Sequence, residues 1–409
     1  MLNVDLAFQK LVHLVRPVKE TERVSIDAAI GRIAAESVKA PIDLPPFDAS
    51  AMDGYAVDAT GLAHAAEKRF DVIDESLAGR PAASTVSAPG DAVRVFTGAS
   101  MPAGSNAVVL QEDAVRQGNT MLTSAPIRCD QHVRHRGHDV RRGSEICCRG
   151  TRLSHFHLSW FAACGIEDVT VSRRVRVGVF STGDELVERG NPLEAGQIYD
   201  SNRFAINSLL REKAVEACDL GCIPDDPVTI ASSLEEASKN TDLLVTSGGV
   251  SVGDADFVKE VVDRIGRIEF WKIALKPGKP LAIGTIGDAL FFGLPGNPVS
   301  AIVTYLLFVA PTIDRLGGCE PAPPLTLTAS VNGRVKHSAG RREYLRGTLQ
   351  SIDGQLVVTP TGDQGSNRLA TFADANCLVV VNEDRHDVED GESVEVILLP
   401  DEAAHPMRS

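Results

Sequence analysis

Four short stretches of this chain concentrate the side chains that chemistry on anions requires. Ser181-Thr182-Gly183-Asp184-Glu185 carries adjacent carboxylates, oxygen donors suited to a hard divalent cation; the alternative is a helix cap or solvated loop charge. In Ser247-Gly248-Gly249-Val250-Ser251-Val252-Gly253-Asp254-Ala255-Asp256, small residues let backbone N–H groups approach a phosphate ahead of a helix start. No G-K-[ST] follows, so this is not a Walker A loop. Asp254 and Asp256 would repel phosphate unless a magnesium ion bridged them to it. The other reading is a plain tight connection. Lys272-Ile-Ala-Leu-Lys276-Pro277-Gly278-Lys279-Pro280 sets three lysines in a stiff turn, suited to a tetrahedral oxyanion or simply to a soluble edge. Leu294-Pro295-Gly296-Asn297-Pro298-Val299-Ser300 opens a helix, where free N–H groups and Ser300 can receive an anion, or where Asn297 is a cap with Pro298 in the first position.

Two further stretches carry reactive groups. Pro45-Pro-Phe-Asp-Ala-Ser-Ala-Met-Asp53-Gly-Tyr55 presents Asp53 as an acid/base or metal ligand if it faces a cleft. Gly340-Arg341-Arg342-Glu343-Tyr344-Leu345-Arg346 and Gly362-Asp-Gln-Gly-Ser366 supply guanidinium and hydroxyl groups for an oxyanion. His132, His135 and His138 recur every third residue, a spacing that spreads rings instead of converging them on one tetrahedral ion. The adjacent Cys147 and Cys148 read as structural thiols.

The elements that must position these groups alternate in kind. Phe8, Leu11, Val12 and Val15 predict an amphipathic first helix ending near Pro17. Between 47 and 140, short β-like runs such as Asp91–Phe96 and Ala107–Leu110 alternate with Gly and Pro, predicting an inserted β-rich domain flanked by linking segments 1–46 and 141–174. From 175 to 320, strands at Val175–Phe180, Asp242–Thr246, Leu281–Gly284 and Ala289–Gly293 alternate with helices at Arg203–Val215, Ala255–Ile265 and Pro298–Leu316. That pattern predicts a doubly wound, mostly parallel α/β domain, whose ligands sit outside the carboxyl ends of the strands, where the four loops fall. Residues 321–409 predict a C-terminal β-barrel or sandwich.

At 409 residues, several packed units are expected. A net charge of -14 disfavours non-specific binding to nucleic acid or an anionic membrane, so an anionic substrate needs a local basic site. The run from Arg128 to Arg149 reads as a solvated loop or strand edge. The eight cysteines contain no C-x-x-C pair, and the N-terminus does not read as a signal peptide, so reduced thiols in the cytoplasm are expected.

Taken together, P-P-F-D-A-S-A-M-D-G-Y-A-V, F-S-T-G-D-E-L, G-Q-I-Y-D-S-N-R, S-G-G-V-S-V-G-D-A-D, L-K-P-G-K-P-L and G-L-P-G-N-P-V-S resemble, in order and from about Leu6 to Val396, the motif series of the molybdopterin molybdenumtransferases, the family of bacterial MoeA and the gephyrin E domain. The resemblance implies an elongated four-domain subunit that dimerises. It also implies a reaction, the insertion of molybdate into adenylylated molybdopterin with release of AMP and a requirement for Mg2+. Carried over by motif, Asp53 and Thr97 lie in the inserted domain, which in such dimers can complete the partner's cleft. Asp139, in R-G-H-D-V, departs slightly from the family's R-G-E-D-I.

Glu185, Asp226 and Asp256 match acidic positions of the cleft; with Asp254 they form the expected magnesium-ligand set. Lys276, Lys279, Ser300, Arg346 and Ser366 resemble its oxyanion pocket, with Arg341 and Arg346 as alternatives for the guanidinium. Ser247, Gly248, Gly249, Ser251, Gly253, Pro295, Gly296 and Asn297 complete the expected substrate-binding set, and Asp53, Thr97, Asp139, Glu185, Lys276 and Lys279 the catalytic one. A molybdopterin adenylyltransferase is a possible contact. The rival readings are that adenylylation step itself, against which stands G-G-V-S-V-G in place of G-G-T-G, and a non-catalytic scaffold.

Overall fold

The computed structural model describes residues 1–62, 68–249, 257–320 and 324–400. The chain divides into two compact units, Met1–Glu22 with Gly31–Ile33 and Ser172–Ser409, and Arg23–Ile30 with Ala34–Val171.

The second unit holds a six-stranded mixed sheet in the order Ala107–Leu110, Gly54–Val57, Asp91–Val95, Lys68–Ser76, Thr120–Thr123, Val115–Gln117. Period-two side chains place Tyr55, Val57 and Val109 in a core on one face and Ala56, Val93 and Val108 in a core on the other. Gly54 is dictated by proximity, since a Cβ there would fall 2.0 Å from the Val109 carbonyl oxygen. Asp53 is therefore held at the very start of a central strand. Around Ala34, Ile146, Leu153, Phe161 and Val171 the linking segments form a separate core.

In the first unit, a six-stranded sheet runs Val215–Ile223, Val175–Thr182, Leu243–Ser247, Ala289–Leu294, Pro280–Ile286, Arg267–Lys272. Its first four strands are mutually parallel and the last two antiparallel. Ile206, Leu210, Val299 and Val303 cover one face, Ile230, Leu234, Val258 and Val262 the other, which is the expected doubly wound arrangement. Val215, expected as the end of a helix, instead opens an edge strand, Val215–Ile223. The preceding helix spans Ser201–Arg211 only. The misleading signal was V-E-A-C-D-L-G-C-I, whose mostly exposed positions carry no clear alternation. Phe204 on that helix is 51% exposed, with the Arg189 guanidinium 4.4 Å from its ring. Arg203 is buried in its place, bonded to Asp200, Asp219 and Glu188.

The first helix, Val4–Leu14, buries Val4, Ala7 and Leu11 in the same core. The helical run Pro298–Leu316 has a mean hydropathy of 1.5, enough by length and composition to cross a membrane, but it is 67% buried in the protein. Arg342–Ile352, Gln355–Pro360, Thr326–Val331, Ser393–Leu398 and Cys377–Val381 pair in sequence and close through the Arg342–Ile352 and Cys377–Val381 strands into a barrel. The barrel core holds Val331, Leu345, Val358, Val379 and Val396. Leu275–Lys276 adds to its outer strand in parallel, Lys276 opposite Glu343.

Candidate functional site

Because Val175–Thr182, Leu243–Ser247 and Ala289–Leu294 are parallel, the loops after Thr182, Ser247 and Leu294 emerge on one edge of the sheet. The antiparallel strand from Pro280 starts at that edge too, with Ala282 opposite Gly293. Chain direction alone therefore brings four of the reactive stretches together, and the barrel supplies the rest. Glu185, Lys276, Lys279, Pro295, Gly296, Asn297, Ser300, Arg341, Arg346 and Ser366 all line one cleft of about 660 Å³.

The loops are braced against each other. Asn202 Nδ2 donates to Ser247 Oγ at 2.7 Å and to the Gly296 carbonyl at 2.6 Å, tying two strand-end loops together. A Cβ on Gly296 would meet the Gly248 Cα at an ordinary contact distance of 3.8 Å, whereas Gly249, at φ +67°, leaves no room for one beside Val258 and Thr182. Ser251, Gly253, Asp254 and Asp256 lie outside the described residues. The helix start at Pro298 is partly occupied: the Val299 amide donates to the Ser366 carbonyl at 3.2 Å, and Asn297 Nδ2 donates to Ser366 Oγ at 3.0 Å instead of capping. The expectation of wholly free N–H groups there is corrected accordingly. Ser300 is buried.

The two arginine alternatives separate cleanly. Arg346, 1% exposed, donates to the carbonyls of Asp363, Gln364 and Gly365 and to Thr371 Oγ1. Its guanidinium shapes the Gly362–Ser366 loop from the cleft wall, which leaves Arg341 as the less engaged of the two guanidinium alternatives. Arg341 is half-buried at the cleft wall and, among the described residues, makes no hydrogen bond or ion pair. Lys279 is exposed and likewise unpaired among the described residues. Lys276 Nζ instead lies 2.8 Å from Glu343 Oε1.

The two neighbouring aspartates on the acidic side also differ in what they bond. Asp226 Oδ2 accepts from the Thr229 amide at 2.8 Å and from its hydroxyl at 2.7 Å, capping the helix Pro227–Ser238. Its neighbour Asp225 turns inward: Oδ1 is buried with no hydrogen-bond partner among the described residues, and burial, then the charges of Asp184 and Glu185, push its carboxyl above the usual aspartate range. Among the described residues no three His, Cys, Asp or Glu groups are arranged to hold a metal. The uncompensated carboxylates at Asp225 and Glu185 are nonetheless the donor chemistry that a hard cation takes, and they fit magnesium. Orphaned polar atoms gather along the same edge: Thr182 Oγ1, Thr246 Oγ1 and Asn202 Oδ1 are also buried without partners among the described residues.

In the other unit, Asp53 Oδ1 accepts from the Thr97 amide at 2.7 Å and from Thr97 Oγ1 at 2.8 Å. That amide first, then the hydroxyl, holds the Asp53 carboxyl below the usual range. Arg94 sits between the Tyr55 and Phe96 rings at 4.9 and 4.8 Å, adding positive charge nearby. Asp139 is exposed in the same unit, where burial first and then the Asp139 charge push the Cys164 thiol up. Sequence reasoning missed Asn202, Asp225 and Glu343. The first stood within a quoted motif, the second beside Asp226, and the third between two arginines that drew attention from it.

This arrangement defines an α/β protein with a basic cleft at the carboxyl ends of its parallel strands. Residues 2–165 match the MoeA N-terminal region (domains I and II), residues 178–315 the probable molybdopterin-binding domain, and residues 328–399 the MoeA C-terminal region (domain IV). The chain is 40% identical to the molybdopterin molybdenumtransferase of Haemophilus influenzae over 97% of this chain and 98% of that one. It is 32% identical to that of Bacillus subtilis over 98% and 94%. A crystal structure of a molybdopterin biosynthesis MoeA protein from Pyrococcus horikoshii superposes with a TM-score of 0.85 at 28% identity, covering 98% of this chain and 100% of that one. The chain belongs to the molybdopterin molybdenumtransferase family.

Proposed function

We propose that the chain inserts molybdate into adenylylated molybdopterin in molybdenum cofactor biosynthesis, with release of AMP and assistance from Mg2+. The observation that supports it best is the convergence of Lys279, Arg341 and Lys276 with Glu185 in a single cleft at the carboxyl edge of the parallel strands. Molybdate is a tetrahedral dianion and the adenylylated pterin carries a pyrophosphate, so a site for both needs unpaired cations beside carboxylates. Lys279 and Arg341 bind the oxyanion, and the Ser247–Gly249 backbone, braced by Asn202, seats the phosphates. Asp225 and Glu185 would hold magnesium, with Asp254 and Asp256 as the further expected ligands. When bound, the cation neutralises pyrophosphate charge. The work of these residues is alignment and charge stabilisation, which phosphoanhydride cleavage requires more than a protein nucleophile.

Asp53 and Thr97 form a preassembled carboxylate–hydroxyl pair, and we assign it to completing the cleft of a partner subunit in a homodimer. Asp139 keeps its assignment to the catalytic set on the motif alone. A cytoplasmic location accords with eight unbridged cysteines; a molybdopterin adenylyltransferase is the natural donor of the substrate. The test is molybdate- and magnesium-dependent release of AMP from adenylylated molybdopterin by the purified protein. ATP-dependent adenylylation of molybdopterin instead would move the assignment to the preceding step, and neither activity would favour a scaffold.

A further inference from the structure

We propose that Glu343, held by His337, is the positioning residue for Lys276, and that it leaves Lys279 and Arg341 as the two cations available to an anion in the cleft. Glu343 is 4% exposed, and its carboxylate is bonded at both ends: Oε1 lies 2.8 Å from Lys276 Nζ, and Oε2 lies 2.8 Å from His337 Nδ1. His337 is itself 5% exposed, its amide donates to Asp387 Oδ1 at 2.8 Å, and its Nε2 is buried with no partner among the described residues. A buried carboxylate gripped from behind is a fixed anchor, since its rotamer is set before any ligand arrives.

The anchor acts on a defined position. Lys276 and Glu343 are register partners in the parallel pair that joins the basic turn to the barrel, and the Lys276 side chain, 46% exposed, would otherwise be free to sweep the cleft mouth. Glu343 fixes that ammonium at the wall and offsets its charge. Lys276 thus orients a bound anion, while the uncompensated attraction comes from Lys279 and Arg341.

This inference rests on the oxyanion cleft proposed above, and two measurements keep the two separable. The first needs no substrate: competitive labelling of the intact protein with a limiting amine-acylating reagent, read by mass spectrometry. Lys276 is expected to react at least about fivefold more slowly than Lys279 in the wild type, as a charge-paired amine held in place does. Glu343→Gln, an amide isostere that can still bond His337, is expected to abolish the difference. Equal reactivity in the wild type, or an unchanged ratio in Glu343→Gln, overturns the proposal whatever the enzyme's reaction.

The second is a double-mutant cycle on molybdate-dependent turnover with Lys276→Ala and Glu343→Gln. The double variant is expected to match Lys276→Ala alone, because Glu343 acts through the lysine. Additive losses mean that Glu343 is structural only and overturn the positioning role. Failure of wild-type turnover with intact labelling contrast overturns the parent reading and leaves the anchor standing.

Discussion

Lys276 and Glu343 face each other across a parallel strand pair, ammonium to carboxylate at 2.8 Å, at the junction between the basic turn of the α/β domain and the C-terminal barrel. The pair means that the lysines and arginines on the cleft wall do not all act as free charges. Lys276 is compensated; Lys279 and Arg341 are not.

Lys279→Ala and Arg341→Ala should therefore leave the fold intact and reduce molybdate-dependent turnover by about a hundredfold each, the scale for one charged stabiliser of a developing oxyanion. Circular dichroism with steady-state kinetics checks both halves. Wild-type rates in either variant would remove that residue from the site.

Arg346→Ala should behave differently. It removes the four hydrogen bonds by which a buried guanidinium ties together the Gly362–Ser366 loop and Thr371, a loss of roughly 3 kcal/mol. Denaturant unfolding should show it, and Arg341→Ala measured in parallel should not.

Asp225 carries a pH signature. Its folded-state carboxyl is raised above the ordinary 3.8 by burial and by Asp184 and Glu185, so the charged form is disfavoured by folding. The penalty is full above the folded value, fades as pH falls through it, and vanishes below the unfolded value. Asp225→Asn should be more stable than wild type at pH 7, with the difference lost below about pH 3.8. Magnesium should raise the melting temperature of the wild type and not of this variant. Asp226→Ala, which removes only a helix cap, should lower that temperature by about 2–4 °C and keep the magnesium response.

Asp53 should stay ionised throughout the neutral range, because the Thr97 amide and hydroxyl both favour its charged form. Thr97→Ala removes the hydroxyl and keeps the amide, so it should raise the Asp53 carboxyl without bringing it to neutrality. Asp53→Ala should abolish cofactor maturation while the fold persists. A titration by NMR and a reconstituted activity assay check the two statements separately.

Much of this was legible before folding. The strand and helix alternation from Val175 onward fixed the doubly wound sheet, because residues buried on both faces must be apolar in runs. The rule that ligands sit in the crevice outside the carboxyl ends of parallel strands then pointed to the loops that line the cleft. The edge strand Val215–Ile223 escaped because most of it faces outward and its composition carries no burial signal. Asp225 and Asp226 are adjacent and chemically identical; which one caps and which turns inward depends on where the next helix starts. Arg341 and Arg346 differ only in whether they precede or enter a barrel strand, and strand packing decides which guanidinium is consumed by backbone.

By itself, the amino-acid order determined the family, the sheet type and the inventory of charged groups near each strand end, since local pattern and motif spacing are properties of the chain alone. Only the tertiary structure decided which charges remain unpaired. Compensation between groups as distant as Lys276 and Glu343 is set by through-space distance and burial, and neither quantity exists until the strands have closed on one another.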